Sequence, residues 1–118
     1  MKPLPEADEL SLTALREKID GINRDLLERL QERAALVQEI AAIKRARGLE
    51  GHDPGREDAM LEDLLSRSHG PFGPAELRSI FRTIFRASLE MQERDRWQTL
   101  RVKQPGILPP GGVRVGKV

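Results

Sequence analysis

The sequence predicts an all-α protein: a three-helix protomer with a very long first helix, paired with a second copy into a homodimeric helical bundle. Apolar residues recur at alternating three- and four-residue steps along most of the chain, the signature of amphipathic helices. The segments carrying these stripes are separated by short runs rich in glycine and proline, which punctuate helices. The first stripe is also too long for one small protomer to cover.

That stripe runs Leu12, Leu15, Ile19, Ile22, Leu26 and Leu30, then Val37 and Ile40. It predicts a helix from Ser11 to Arg47, interrupted only by Gly21, which costs roughly 1 kcal/mol relative to alanine. Gly48 supplies the stop, after Lys44, Arg45 and Arg47 in the last turn. Such a helix would reach about 55 Å at 1.5 Å per residue, wider than a domain of this mass, so a second copy is needed to bury the rest of its stripe. The second helix begins at Asp53 and Pro54, an acidic N-cap followed by proline at the first helical position. Met60, Leu61, Leu64 and Leu65 give it one apolar face, and Gly70-Pro71-Phe72-Gly73-Pro74 ends it. A third helix follows from about Ala75 to Trp97, with the stripe Leu77, Ile80, Phe81, Ile84, Phe85 and Leu89. The chain thus divides into a lead over 1–10, a helical domain over 11–100 and a Pro/Gly-rich tail over 101–118. Val113, Val115 and Val118 in the tail suggest a short strand or the end of a linker.

Composition removes several function classes. The chain has 118 residues, with 20 Lys+Arg against 19 Asp+Glu, a net charge of +1 that offers no general basic surplus for nucleic acid. No apolar run approaches the roughly 20 residues of a membrane span. With no cysteine and only His52 and His69, the sequence predicts no metal centre, no thiol nucleophile and no disulfide framework. The opening residues lack the pattern of a secretory signal, so the expected location is cytoplasmic.

Polar residues interrupt the apolar stripes at specific places. Three positions beyond Leu30 stands Arg33, and four beyond Ile40 stands Lys44. These cations are about three turns apart on one face, roughly 16 Å along the axis, and burying them without an anion costs several kcal/mol each. On the third helix Phe81, Ile84, Ser88 and Gln92 follow the same steps, which sets Ser88 one turn from Gln92. Each has an ordinary explanation too: Arg33 can snorkel or pair with Glu28, Glu32 or Glu39, Asp53 is accounted for as an N-cap, and Arg56 and Glu57 read as solvated first-turn residues. Arg16, about 100° around the helix from Arg33, suits a symmetry-related face instead. Together these side chains fit a small polyanion: arginine forks for carboxylates, a lysine point charge, and a neutral amide for an ether or carbonyl oxygen. An enzyme built from them would work by restraint and electrostatics, without nucleophile or proton transfer.

The runs LREKID (Leu15–Asp20), ERAALVQEIAAIK ending at Lys44, HDPGRE (His52–Glu57) and ASLEMQE (Ala87–Glu93) resemble the AroQ class of chorismate mutases, which are all-helical intertwined dimers. The resemblance covers about residues 10–97. It implies a homodimer in which Arg16 reaches across the interface into the partner's pocket, while Arg33 binds a substrate carboxylate in its own. It further implies that Lys44 and Gln92 hold the ether oxygen and that Asp53 and Glu57 meet the ring hydroxyl. Arg56 and Ser88 complete the polar lining. The implied catalytic set is Arg33, Lys44, Glu57 and Gln92, the substrate is chorismate, and no cofactor is required.

DPGRE, GPFGP and IFRTIFRASLEMQE are also similar to the chorismate mutase domain fused ahead of DAHP synthase in some bacteria, where it serves feedback control as well. The chain is accordingly expected to be either a domain excised from such a fusion or a free-standing relative. Two competing readings remain open at this stage: an isochorismate pyruvate-lyase of the same fold, and a non-catalytic helical dimer that only senses the ligand.

Overall fold

The computed structural model describes residues 5–103 and Gly106. Three helices follow in order, α1 (Pro5–Ala46), α2 (Pro54–Ser66) and α3 (Pro74–Lys103). Each opens on a proline, whose fixed φ suits the first helical position and whose missing N–H leaves no donor unsatisfied there. Among the described residues there is no strand. No described helix is long and apolar enough to cross a membrane.

Two helices outrun their expected limits. α1 starts at Pro5 instead of Ser11, because Pro5 is a good first residue and Asp8 and Glu9 lie near the positive end of the helix dipole. α3 continues past Trp97 to Lys103, since Gln98, Leu100 and Arg101 favour helix and no breaker occurs before Pro105. The suggested strand at Val113, Val115 and Val118 lies outside the described residues.

The chain divides into two compact units after Leu36. In the first, the α1 stripe lies open: Leu15, Ile19, Ile22 and Leu26 are all more than half exposed, and Leu12 and Leu30 are exposed to 44% and 42%.

The second unit holds the end of α1 with α2 and α3. Its buried apolar side chains among the described residues are Ala41, Leu61 and Phe85. The rings of Phe81 and Phe85 lie 6.4 Å apart at a 47° tilt, within the range of favourable aromatic pairs. An ion pair between Arg82 Nη2 and Asp58 Oδ1 at 3.2 Å joins α2 to α3 at the surface. At the start of α3, Glu76 Oε1 accepts the N–H of Gly73 at 2.6 Å, and the Gly73 carbonyl accepts the N–H of Leu77 at 3.1 Å. This is half of a capping box, and it sets where α3 begins.

Candidate active site

α1 ends in a turn that fixes Lys44. The N–H of Leu49 donates to the Lys44 carbonyl at 2.8 Å and that of Gly48 to Arg45 at 3.1 Å, with Gly48 at φ 69°. These are the paired bonds of a Schellman motif, and the left-handed residue they require is the glycine. Lys44 therefore stands in the last turn of α1, where its charge opposes the helix dipole and its side chain is half-buried.

The Lys44 side chain lines a cleft of about 1010 Å³, with Gln92 and Leu89 of α3 and with Gly51 and His52 of the α1–α2 connection. Arg45 and Arg96 add positive charge to its walls, against Glu50 and Glu93. Arg96 lies 3.9 Å from Glu93. Among the described residues Lys44 forms no ion pair, so its charge is available to an anionic guest.

α2 presents the next group. Asp53 Oδ1 accepts the N–H of Arg56 at 3.0 Å, and the Asp53 carbonyl accepts that of Glu57 at 3.1 Å. Asp53 is thus the N-cap that its place before Pro54 suggests. Arg56 is exposed. The Glu57 side chain is largely buried, and its Oε1 lies 3.5 Å from Nε2 of His52. Ser88, half-buried on α3, donates to the carbonyl of Ile84 at 3.0 Å, the back-bond to the preceding turn that serine makes in helices.

Of the residues singled out from the sequence, the structure brings Lys44 and Gln92 to one cleft, with Glu57 in touch with that cleft's wall through His52. Asp53 and Arg56 sit at the start of α2, and Ser88 lies one turn from Gln92. Arg16 and Arg33 belong to the first unit, Arg16 exposed and Arg33 half-buried. Glu32, one candidate partner for Arg33, pairs with Arg29 at 2.9 Å. Sequence reasoning missed Gly51, His52, Arg96 and Thr99. The last two were within reach, since they lie four and seven places after Gln92 on the same helical face. Gly51 and His52 stand in a connection with no periodicity to betray them.

A cleft that gathers Lys44, Arg45 and Arg96 with the amide of Gln92 holds the kinds of donor that suit a small anion. Residues 15–93, well over half of the chain, match the family Chorismate mutase type II. The chain therefore belongs to the chorismate mutase type II family, a family of enzymes. It is 33% identical over 92 residues to a bifunctional chorismate mutase/prephenate dehydratase of Pseudomonas aeruginosa, covering 74% of this chain and 25% of that protein. It is 29% identical over 109 residues to the T-protein of Enterobacter agglomerans, covering 91% of this chain and 29% of that one. The chain thus spans about a quarter of the length of these curated relatives. Among solved structures, chorismate mutase from Thermus thermophilus superposes with a TM-score of 0.70 at 43% identity, over 71% of this chain and 96% of that one.

Proposed function

We propose that this domain converts chorismate to prephenate, in the cytoplasm, as a step of aromatic amino-acid biosynthesis. The observation that carries the reading is the meeting of Lys44 from α1 and Gln92 from α3 in one cleft, within a chain of the chorismate mutase type II family. The rearrangement breaks one ether C–O bond and forms one C–C bond within a single molecule, so no atom enters or leaves. Negative charge grows on the ether oxygen as its bond breaks. A lysine and a neutral amide donor aimed at that oxygen stabilise the transition state more than the ground state, which is the condition for catalysis. Restraint of the substrate in its compact conformer supplies the rest.

In this reading Arg33 binds a substrate carboxylate, Glu57 and the backbone around Asp53 meet the ring hydroxyl, and Arg56 and Ser88 complete the lining. These roles rest on the resemblance of the motifs. The protein works as a homodimer, with Arg16 contributed across the interface. The open Leu15–Ile19–Ile22–Leu26 stripe supports this, because burying a leucine or isoleucine side chain is worth about 1.5–3 kcal/mol. Light scattering at micromolar concentration should give twice the chain mass.

The experiment is turnover by the purified chain: chorismate absorbance should fall with prephenate as the sole product, and chelators should leave the rate unchanged. Pyruvate and salicylate from isochorismate, with chorismate untouched, would identify a lyase instead. Binding without turnover would identify a sensing module. A second role, control of a DAHP synthase, is favoured by the DPGRE, GPFGP and IFRTIFRASLEMQE segments. It predicts that added DAHP synthase changes the mutase rate.

A further inference from the structure

Gln38 on α1 donates from Nε2 to Oδ2 of Asp95 on α3 at 2.8 Å, across 57 residues of sequence. The other carboxylate oxygen of Asp95 lies 3.4 Å from Nη2 of Arg94, which steadies the acceptor. Neither Gln38 nor Asp95 lines the cleft. Gln38 nevertheless precedes Lys44 by six residues, and Asp95 follows Gln92 by three. Between Gln38 and Lys44 on α1 stands Ala41, buried to 6% exposure.

Because a helix is stiff over one or two turns, a bond fixed at one level of two neighbouring helices sets their axial register at the next. A slip of one residue would move Lys44 against Gln92 by about 1.5 Å. Close packing does little to resist such a slip here, since among the described residues no Cα of α1 lies within 8 Å of a Cα of α3. A short hydrogen bond does resist it, because its strength falls steeply with distance and angle. We propose that Gln38 and Asp95 are positioning residues, which set the register of α1 against α3 and so the spacing of Lys44 and Gln92 across the cleft. The kinetic consequence rests on the chorismate mutase reading.

The test exchanges the two functional groups. Gln38→Glu places two carboxylates against each other and breaks the bond. The double variant Gln38→Glu/Asp95→Asn restores it with donor and acceptor reversed. Gln38→Glu should lower kcat about tenfold, since a misplacement of about 1 Å can cost up to 10²-fold. The double variant should recover most of that loss, and melting temperatures should separate the two by little. The side-chain amide resonance of Gln92 should shift in Gln38→Glu and return in the double variant, a readout that needs no substrate. A Gln92 signal unmoved by Gln38→Glu, or a loss of kcat not restored by the exchange, would overturn the proposal. If the unaltered protein fails to turn chorismate over, the proposed function falls, and the Gln92 resonance still decides the register.

Discussion

A Cβ atom built on Gly51 would stand 3.1 Å from Oε1 of Gln92. The connection between α1 and α2 is therefore in contact with the amide that α3 delivers to the cleft, and the missing side chain at Gly51 is what leaves that amide its place. The obstacle is the far end of a flexible side chain, so Gly51→Ala should fold with stability within about 0.5 kcal/mol of the parent. The amide would have to give by a few tenths of an ångström. Turnover of chorismate should fall severalfold, on the scale by which small misplacements reduce rates. Combining Gly51→Ala with Gln92→Ala should cost no more than Gln92→Ala alone, because the first change acts through the second residue.

Lys44 contributes to the fold through its carbonyl and to the cleft through its side chain, and the two can be separated. Lys44→Ala keeps the carbonyl that accepts the N–H of Leu49. It gives up only the favourable interaction with the helix dipole, about 0.3–1 kcal/mol. Turnover should nevertheless drop roughly 10²–10³-fold, the effect of removing one preorganised donor to a developing oxyanion. Equal rates for parent and variant would leave Lys44 as a helix-terminal cation and nothing more.

For Asp53 the structure favours the capping role. Its side chain is already engaged with the N–H of Arg56. Asp53→Ala should destabilise the domain by about 0.5–2 kcal/mol, while Asp53→Asn, which retains the capping oxygen, should stay close to the parent. Urea denaturation of the three proteins measures both differences. Equal losses in the two variants would mean that the charge, not the cap, carries the effect.

Much of this arrangement was legible in the sequence, and the rest was hidden for identifiable reasons. The three helices could be read because their apolar steps are regular and because Pro54 and Gly48 stand where a helix begins and ends. The limits at Pro5 and Lys103 were harder, since both ends extend past the stripe into residues that favour helix without being needed by a core. Lys44 and Gln92 showed themselves as polar residues in line with apolar ones. Gln38 and Asp95 had no such signal: neither stands in line with an apolar stripe the sequence displays, and only the folded chain makes them neighbours. Arg16 and Arg33 could be separated by angle alone, which is a property of the helix and needs no tertiary contact.

Gln92→Glu tests whether the position requires a donor. An ionised carboxylate would repel the negative charge growing on the ether oxygen, so activity at about pH 7 should fall well below the parent. Protonation turns the same group into a hydrogen-bond donor and is favoured as pH decreases, so activity should partly recover toward about pH 5. A variant as active at pH 7 as the parent, with no change in its pH profile, would place Gln92 away from the reacting atoms.

The angular offset between Arg16 and Arg33, about 100° around one helix, predicts how two defective proteins should behave when mixed. Arg16→Ala and Arg33→Ala should each be nearly inactive as homodimers. Co-refolding equal amounts gives about half mixed dimers by random pairing of a two-fold assembly. If Arg16 serves the partner's pocket, one pocket of each mixed dimer takes an intact Arg33 from the first variant and an intact Arg16 from the second, while the other pocket lacks both. Half the dimers with one of two sites intact should bring activity to about one quarter of the unaltered protein. If Arg16 serves its own chain, every pocket carries one lesion, and the mixture should be no more active than its parents.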